Sequence, residues 1–475
     1  MALGFRGVDR DASMLLPPDL RDWLPADHLA WLVLEVVDQL DLSGLEAGYR
    51  LGSTGREAYD PSMMTALLVY AYCCGARSSR VIERSCITDV AFRVITAQQR
   101  PDHSTIARFR AVHAQALTDL FGQVLAICAK AGLGKVGVVG IDGTKIAANA
   151  SPRKNHREDR LRTMAADMLA EAEAVDAAED AEYGQDRRGD ELPEPLAPGA
   201  GRKDRIRAAL DSIEEEKEQR VADDVAAAQR KRDRAAGSVR TAVARSERIH
   251  AGRASSRASR RPISEHKEVA TAVAKLGAAD QQLAQARAGQ GRRATGPPPR
   301  RNITDPDSRL MRTTGTGFLQ GFNAQLAVSD DHLVIATDVT NCPNDMASFT
   351  PMLNLATTNV DQHLPEASIG IVLADAGYCS NDALTSPGPD RLIATGRDPA
   401  KPGKGEAIRQ MAKRLQPDSP DRKTYSRRQA TVEPVIGHLK DRIGLRRFSR
   451  RGIQAARNEL ALAALAHNIR RLATV

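Results

Sequence analysis

One run of branched apolar residues closing on an acid constrains this chain more than any other stretch: Val136 to Ile146, VGVVGIDGTKI. It is too short for a helix, apolar on both faces, and closed by glycine and polar residues. That is the pattern of a buried strand, one that delivers Asp142 to its end. A second run, SIGIVLADAGY from Ser368 to Tyr378, presents Asp375 in the same way. A third acid, Glu433, lies in ATVEPVIGHLK, a basic segment of helical character. Singly, each has an ordinary reading, since an aspartate after a strand is most often a helix cap or loop residue. Together, two strand-borne aspartates and a helix-borne glutamate can converge on divalent cations. Mg²⁺ takes hard oxygen ligands in an octahedron, with only one or two carboxylates each. Two such ions about 3.5–4 Å apart stabilise both the attacking and the leaving oxygen of a phosphodiester. The chemistry expected of these residues is therefore DNA strand cleavage and joining with two Mg²⁺ ions, for which Mn²⁺ can substitute.

The surroundings support a nucleic-acid partner. The 475 residues are enough for two or three domains with their own cores. A net charge of +8 favours DNA or another acidic surface. Six cysteines without a CxxC pair argue against a zinc ribbon or disulfide framework and fit buried thiols in a reducing compartment. The start, MALGFRGVDRDASML, has no signal-peptide core, and the longest apolar run, MMTALLVYAYCC, is far short of the about 20 residues of a membrane helix. A cytoplasmic, nucleoid-associated protein with no membrane partner is expected.

Residues 1–130 read as an all-α domain. DHLAWLVLEVVDQL carries an apolar stripe from Leu29 to Leu40 with Asp27 as cap. DPSMMTALLVYAYCCG has Asp60 as cap, Pro61 in the first turn and Gly75 as stop. SSRVIERSC, TDVAFRVIT and DHSTIARFRAVHAQAL predict three further helices whose spacing suggests a helix-turn-helix. Ser104, Thr105, Arg108 and Arg110 on the last of them are candidate DNA contacts; the plainer reading is a bundle with solvated arginines. From 151 to 301 the composition turns to Ala, Glu, Asp, Arg and Gln, acidic first and basic later, broken by ELPEPLAPGAG. This predicts a polar helical or coiled insert, an antiparallel hairpin or a partly disordered segment.

Residues 131–150 and 302–475 then form one α/β domain. NITDPDSRLMRT reads as a turn-rich polar segment, FNAQLAVS and HLVIATDVT as a hairpin, and DMASFTPMLNLATTNV as a helix capped by Asn344 or Asp345. The Asp375 strand, a short strand RLIAT, a Pro/Gly/Lys loop and a helix bearing Glu433 follow. A hairpin extending the first strand, then crossovers to parallel strands, is the mixed sheet of the ribonuclease H type. It would set Asp142 and Asp375 side by side. Between Tyr425 and Arg451, eight Lys and Arg residues, Arg446 and Arg447 among them, face only Glu433 and Asp441. Affinity for DNA comes mainly from such phosphate neutralisation. Glu433 and Lys440, seven apart, share a helix face, and Pro434 predicts a kink or a helix start. NELALAALAHNIRRLATV predicts a closing apolar helix across the sheet.

The motifs RPDHSTIARFR, VVGIDGTKI, TDPDSRLM, TNCPNDM, VLADAGY, VEPVIGHLK and AHNIRRL, in this order, resemble a DDE transposase of a bacterial insertion sequence. The resemblance lies with the insertion-sequence-four-like class, closest to the group of insertion sequence eleven-eighty-two. It implies Asp142 and Asp375 as the metal-binding aspartates and Glu433 as the third acid. The family's terminal motif is spaced Y-x2-R-x3-E-x6-K; here Tyr425, Arg428, Glu433 and Lys440 give Y-x2-R-x4-E-x6-K, one residue longer before the glutamate. These residues would contact phosphates of the terminal inverted repeats. The resemblance further implies end recognition by the N-terminal helices, transfer into target DNA without a covalent protein–DNA link, and a homodimeric synaptic complex. Two rivals differ in class. Asp142-Gly143-Thr144-Lys145 also suits the phosphate turn of a sugar or acetate kinase, but the second glycine-rich loop and adenosine pocket are not found. A non-catalytic, decayed DNA-binding protein would not need the intact acid trio.

Overall fold

The structure, a computed structural model, describes residues 19–47, 58–183, 200–252, 262–313, 317–396 and 405–475. The Met1–Leu15 start, most of the ELPEPLAPGAG break and the Pro/Gly/Lys loop lie outside them. The chain forms two compact units, one from 1–150 with 308–475 and the other from 151–307.

The first unit opens with seven helices: α1 (Leu29–Asp38), α2 (Ser43–Glu46), α3 (Pro61–Cys73), α4 (Ser79–Thr88), α5 (Val90–Ile95), α6 (His103–Val112) and α7 (Ala114–Lys130). α3 forms as its punctuation predicts: Asp60 accepts from the Met63 amide, Pro61 stands in the first turn, and Gly75 follows with φ +77°. α1 is capped one residue later than expected, by His28, whose Nδ1 accepts from the Ala30 amide. The single helix predicted from Asp102 onward is two, bent by 73° around His113. Among the described residues no single helix is long and apolar enough to cross a membrane. Three of the six cysteines, Cys73, Cys86 and Cys128, are buried, whereas Cys74 is exposed.

Strand β1 (Val138–Ala147) follows. The second unit then runs β2 (Asn155–Arg157), α8 (Glu158–Tyr183), α9 (Ala200–Gly252), α10 (Lys267–Arg287) and β3 (Arg300–Asn302). α9 and α10 are antiparallel: Arg245 meets Glu268, Arg232 meets Asp280, and Arg293 beyond α10 meets Asp223. Exposed pairs of this kind set register more than stability. β2 and β3 pair antiparallel, and the Arg301 guanidinium is buried against Glu216 Oε2 at 2.6 Å and Ser212 O at 2.7 Å.

Back in the first unit come β4 (Arg309–Arg312), β5 (Phe318–Ser329), β6 (Val334–Thr340), α11 (Phe349–His363), β7 (Ile371–Ala374), α12 (Asn381–Thr385), β8 (Asp390–Ile393), α13 (Glu406–Arg414), α14 (Pro420–Asp441) and α15 (Ile453–Leu472). The sheet order is β4-β5-β1-β7-β8, with β6 also on β5. β1 is antiparallel to β5 and parallel to β7, a mixed sheet. Three expectations need correction. The polar segment before β5 supplies the edge strand β4, because Phe318–Gly321 extend β5 far enough to pair with it. α11 is capped at Ser348, not at Asn344 or Asp345. Pro434 neither starts nor ends a helix; α14 runs through it from a Ser419 cap with Pro420 in its first turn. α15 is buried along most of its length and packs on β6, α3 and α7, so the helices and the sheet share one hydrophobic core. Each fully buried Leu or Ile there contributes about 1.5–3 kcal/mol.

Candidate active site

Asp142 does not end its strand. β1 continues to Ala147 because its antiparallel partner β5 extends alongside it to Gly321. What ends is the parallel partner: pairing with β7 stops at Ile141 and Ala374, so Asp142 and Asp375 are the next residues on neighbouring strands. The chain turns away at Asp375, whose Oδ1 accepts from the Gly377 amide at 2.8 Å and caps the turn Ala376–Tyr378. Asp142 Oδ1 accepts from the Gly143 amide at 2.8 Å. Burial pushes the Asp142 carboxyl above its usual range; Arg428 and the Gly143 amide pull it back, and neighbouring Asp375 pushes it further up.

α14 lies over this edge through Thr431, Val432, Val435 and Leu439. Arg428 Nη1 donates to Asp142 Oδ2 at 2.8 Å, and its Nη2 is 3.9 Å from Glu433 Oε1. Burial works against the guanidinium's charge, yet Asp142, Tyr425 and Asp375 hold its pKa above the usual value. Burial thus outweighs the guanidinium at Asp142, whereas the neighbouring anions outweigh burial at Arg428. Lys440 Nζ donates to Thr144 Oγ1 at 2.5 Å, two residues beyond Asp142 on the same strand face. Tyr425 packs against the cluster of Val138, Leu373, Leu392 and Met411, with Arg422 stacked 5.6 Å above its ring. The structure thus brings Asp142, Asp375, Arg428, Tyr425 and Lys440 to one edge. Glu433 stands apart: its side chain is 55% exposed against 17% for Asp142, and Arg428 lies between them.

The other candidate DNA contacts are more scattered. Arg446 pairs with Asp441 on the surface, and Arg447 bridges through its backbone to Ala147. Ser104 and Thr105 give both hydroxyls to the Asp102 cap, and Arg108 is exposed. Arg110 is not a surface residue. Its Nη1 donates to the Arg77 carbonyl at 2.8 Å and to Tyr72 Oη at 3.3 Å inside the core, so it serves packing.

One part of the edge was given no role in the motif reading, although its acid, Asp345, lies in TNCPNDM. Asp345 Oδ1 accepts from Asn323 Nδ2 at 2.7 Å and from Gln325 Nε2 at 2.8 Å. Gln325 Oε1 in turn accepts from Tyr378 Oη at 2.5 Å. Burial pushes the Tyr378 hydroxyl far above its usual range, and Asp345, Asp142 and Asp375 add to the push. A signal was available in FNAQLAVS: two amides at i and i+2 share a strand face, and both are buried, so each needs a partner.

The donor set fits a hydrated divalent cation, which takes one or two carboxylates and keeps the rest of its shell as water. Among the described residues no three His, Cys, Asp or Glu side chains gather closely enough to hold an ion between them. An acidic pair on adjacent strands, overlaid by a basic helix, is the equipment of an enzyme of the polynucleotidyl-transferase type. Residues 18–112 match the family model described as Transposase domain (DUF772), and residues 298–469 match the model described as Transposase DDE domain. The chain is a DDE transposase, and its substrate is DNA. Enzymes of this family generally use divalent metal ions. No curated protein and no solved structure matches the chain.

Proposed function

We propose that this transposase cleaves DNA at the ends of an insertion sequence of the eleven-eighty-two group and joins the freed ends to target DNA, on a ribonuclease H-like sheet. The observation that carries the reading is the paired exit of Asp142 and Asp375 from adjacent parallel strands beneath the arginine and lysine of α14. Asp142, Asp375 and Glu433 would hold Mg²⁺ or Mn²⁺, two ions in the full complex. The cation supplies Lewis-acid stabilisation of the phosphodiester and makes water a stronger nucleophile. Water replaces one P–O bond and leaves a 3′-hydroxyl; that hydroxyl replaces a second P–O bond in the target, so neither step needs an outside energy source.

The protein's own part is electrostatic and positional. Arg428 neutralises Asp142 while DNA is absent; a terminal phosphate offers the guanidinium a bidentate partner. Its transfer to the phosphate frees Asp142 and opens the space toward Glu433. Lys440, steadied by Thr144, supplies a second positive charge along the same groove, with Tyr425, Arg446 and Arg447 flanking it. The N-terminal helices bind the transposon end, Arg108 by its exposed guanidinium and Ser104 and Thr105 once their hydroxyls turn from Asp102 to a phosphate, and two copies pair the two ends.

The test is nicking of the cognate terminal repeats with Mg²⁺ or Mn²⁺ by the full chain. We expect cleavage by the wild type and none by Asp375→Asn. Equal cleavage by both would remove Asp375 from the chemistry.

A further inference from the structure

Asp345, like Asp375, is a carboxylate at this edge with no ion-pair partner among the described residues. Asp142 has Arg428. Asp345 has two neutral amides, both on Oδ1, and no lysine or arginine pairs with it among the described residues. Asp345 is half-buried, so solvent screens its charge only in part and a cation at this edge would feel it.

Its placement is built into the two aspartate motifs. Gln325 lies opposite Gly143 in the β1–β5 register, and the Asp345 carboxylate fills the space that a side chain at 143 would occupy. A Cβ there would come within 2.6 Å of Asp345 Oδ1 and 2.5 Å of Gln325 Nε2. At Gly377 a Cβ would lie 3.0 Å from Asp375 Oδ1 and 3.4 Å from Asp345 Oδ2. The glycine after Asp142 therefore leaves room for a third acid, and Gly377 borders both Asp375 and that acid. Asn323, Gln325 and Tyr378 fix that acid from behind.

We infer that Asp345 is a positioning residue of the cation site, an anionic support beneath Asp142 and Asp375 whose unshared oxygen and charge strengthen divalent-ion binding. This rests on the assignment of the cation to the Asp142–Asp375 pair. Groups lying one layer behind a metal's ligands typically change its affinity 10–100-fold when altered.

The informative variant is Asp345→Asn. Its amide oxygen still accepts from Asn323 and Gln325, so a purely structural role predicts wild-type behaviour. A charge role predicts weaker metal binding in an intact fold. Free Mn²⁺ would be measured by electron paramagnetic resonance in titrations of the full chain without DNA, for wild type, Asp345→Asn and Asp375→Asn. Unchanged melting temperatures for the variants would show that the fold is intact. We expect Asp345→Asn to bind Mn²⁺ about tenfold more weakly. We also expect higher Mn²⁺ to restore its DNA nicking, because the carboxylate serves the ion and not the DNA. Wild-type Mn²⁺ affinity in Asp345→Asn, with loss in Asp375→Asn, would overturn the role of Asp345 alone. Wild-type affinity in Asp375→Asn would overturn the aspartate-pair site itself. Should Asp345→Asn not fold, Asn323→Asp with Asp345→Asn returns a negative charge to the cluster, and failure to recover Mn²⁺ binding in a folded double variant would equally count against it.

Discussion

Arg428 reaches across 286 residues of chain to donate to Asp142, and the same guanidinium stands 3.9 Å from Glu433. A cation of the protein's own thus occupies the gap between two of the three acids that the transposase reading assigns to metal. On that reading arginine and divalent ion compete for one carboxylate. Replacing Arg428 with Ala should tighten Mn²⁺ binding to the DNA-free protein by up to about tenfold, equivalent to about 1.4 kcal/mol, while impairing DNA nicking. It should also cost stability. Breaking a buried pair costs about 3–5 kcal/mol, and with 14% and 17% of these side chains exposed, solvent screening brings the loss nearer 1–3 kcal/mol. Saturating Mn²⁺ should recover part of that loss in a melting experiment, since it binds only the folded state. Unaltered Mn²⁺ affinity would mean that the guanidinium is not a competitor.

Lys440 illustrates a different contribution. Burial lowers its pKa, as does Arg446, while Asp441 opposes them. Its Thr144 hydrogen bond aims the ammonium along the β1 edge. If the ammonium neutralises one phosphate, Lys440→Ala should weaken binding of all DNA sequences alike. It should also reduce the slope of log affinity against log salt by about one. A salt titration of DNA binding checks this. A change in affinity with an unchanged slope would place Lys440 off the backbone.

The basic segment after α14 is held by the N-terminal helices. Arg77 donates to Glu459 Oε1 at 2.6 Å, and also to the carbonyls of Gly444 at 2.5 Å and Arg447 at 3.1 Å. Glu459 Oε2 accepts from the Ser449 amide and hydroxyl. Residues 444–449 are thereby pinned to α15 by one ion pair whose carboxylate is only 2% exposed. Glu459→Ala leaves the guanidinium and the Ser449 amide without their acceptor and should cost about 3–5 kcal/mol in denaturant unfolding. A loss under 1 kcal/mol would show that water replaces the pair.

These predictions rest on contacts that differ in how far the sequence foretells them. β1 and β7 were legible because strands buried on both faces read as continuous apolar runs, and α3 because Asp60, Pro61 and Gly75 mark both its ends. The pairing of α9 with α10 was not legible in the acidic and basic halves, because DSIEEEKEQR and RKRDRAAGSVR both lie on α9, and the acids that meet its arginines, Glu268 and Asp280, stand on α10. β4 was not, because a polar edge strand has no alternation to reveal it. Nor was the length of β1 beyond Asp142, since Gly-Thr-Lys reads as a loop until β5 supplies its hydrogen bonds. Arg110 resembled its exposed neighbour Arg108 locally; only the fold around it brings the Arg77 carbonyl and Tyr72 within reach. Asp345 was hidden by a sound local rule, that an acid before a helix is its cap. Its partners lie on a strand some twenty residues earlier, and that relation is tertiary.

Histidines behind α14 provide the pH-dependent element. His467 Nε2 lies 2.8 Å from the His332 carbonyl, which can only accept, so Nε2 carries the proton. His467 Nδ1 is then the acceptor for His438 Nδ1 at 2.9 Å, which fixes both tautomers in the neutral state. Burial drives the His467 pKa down to about 3; the His332 carbonyl resists, and His438, Arg471 and His332 add to the fall. Arg470, Arg471 and Thr474 border the same cavity of about 260 Å³. In the unfolded chain the imidazole takes up a proton near its ordinary pKa of about 6.5. Below that pH the unfolded state binds one more proton than the folded state. Stability present above pH about 6.5 is therefore lost as pH falls toward 3, by up to about 1.4 kcal/mol per unit. Comparing denaturant unfolding of wild type and His467→Gln from pH 7 to pH 5 isolates this contribution, because glutamine cannot take the proton and its curve should be shallower by up to that amount. Parallel curves would assign the acid sensitivity elsewhere. A ¹³C-labelled His467 resonance that titrates near pH 6.5 in the native protein would contradict the neutral pair directly, because a proton on Nδ1 would face the proton His438 donates.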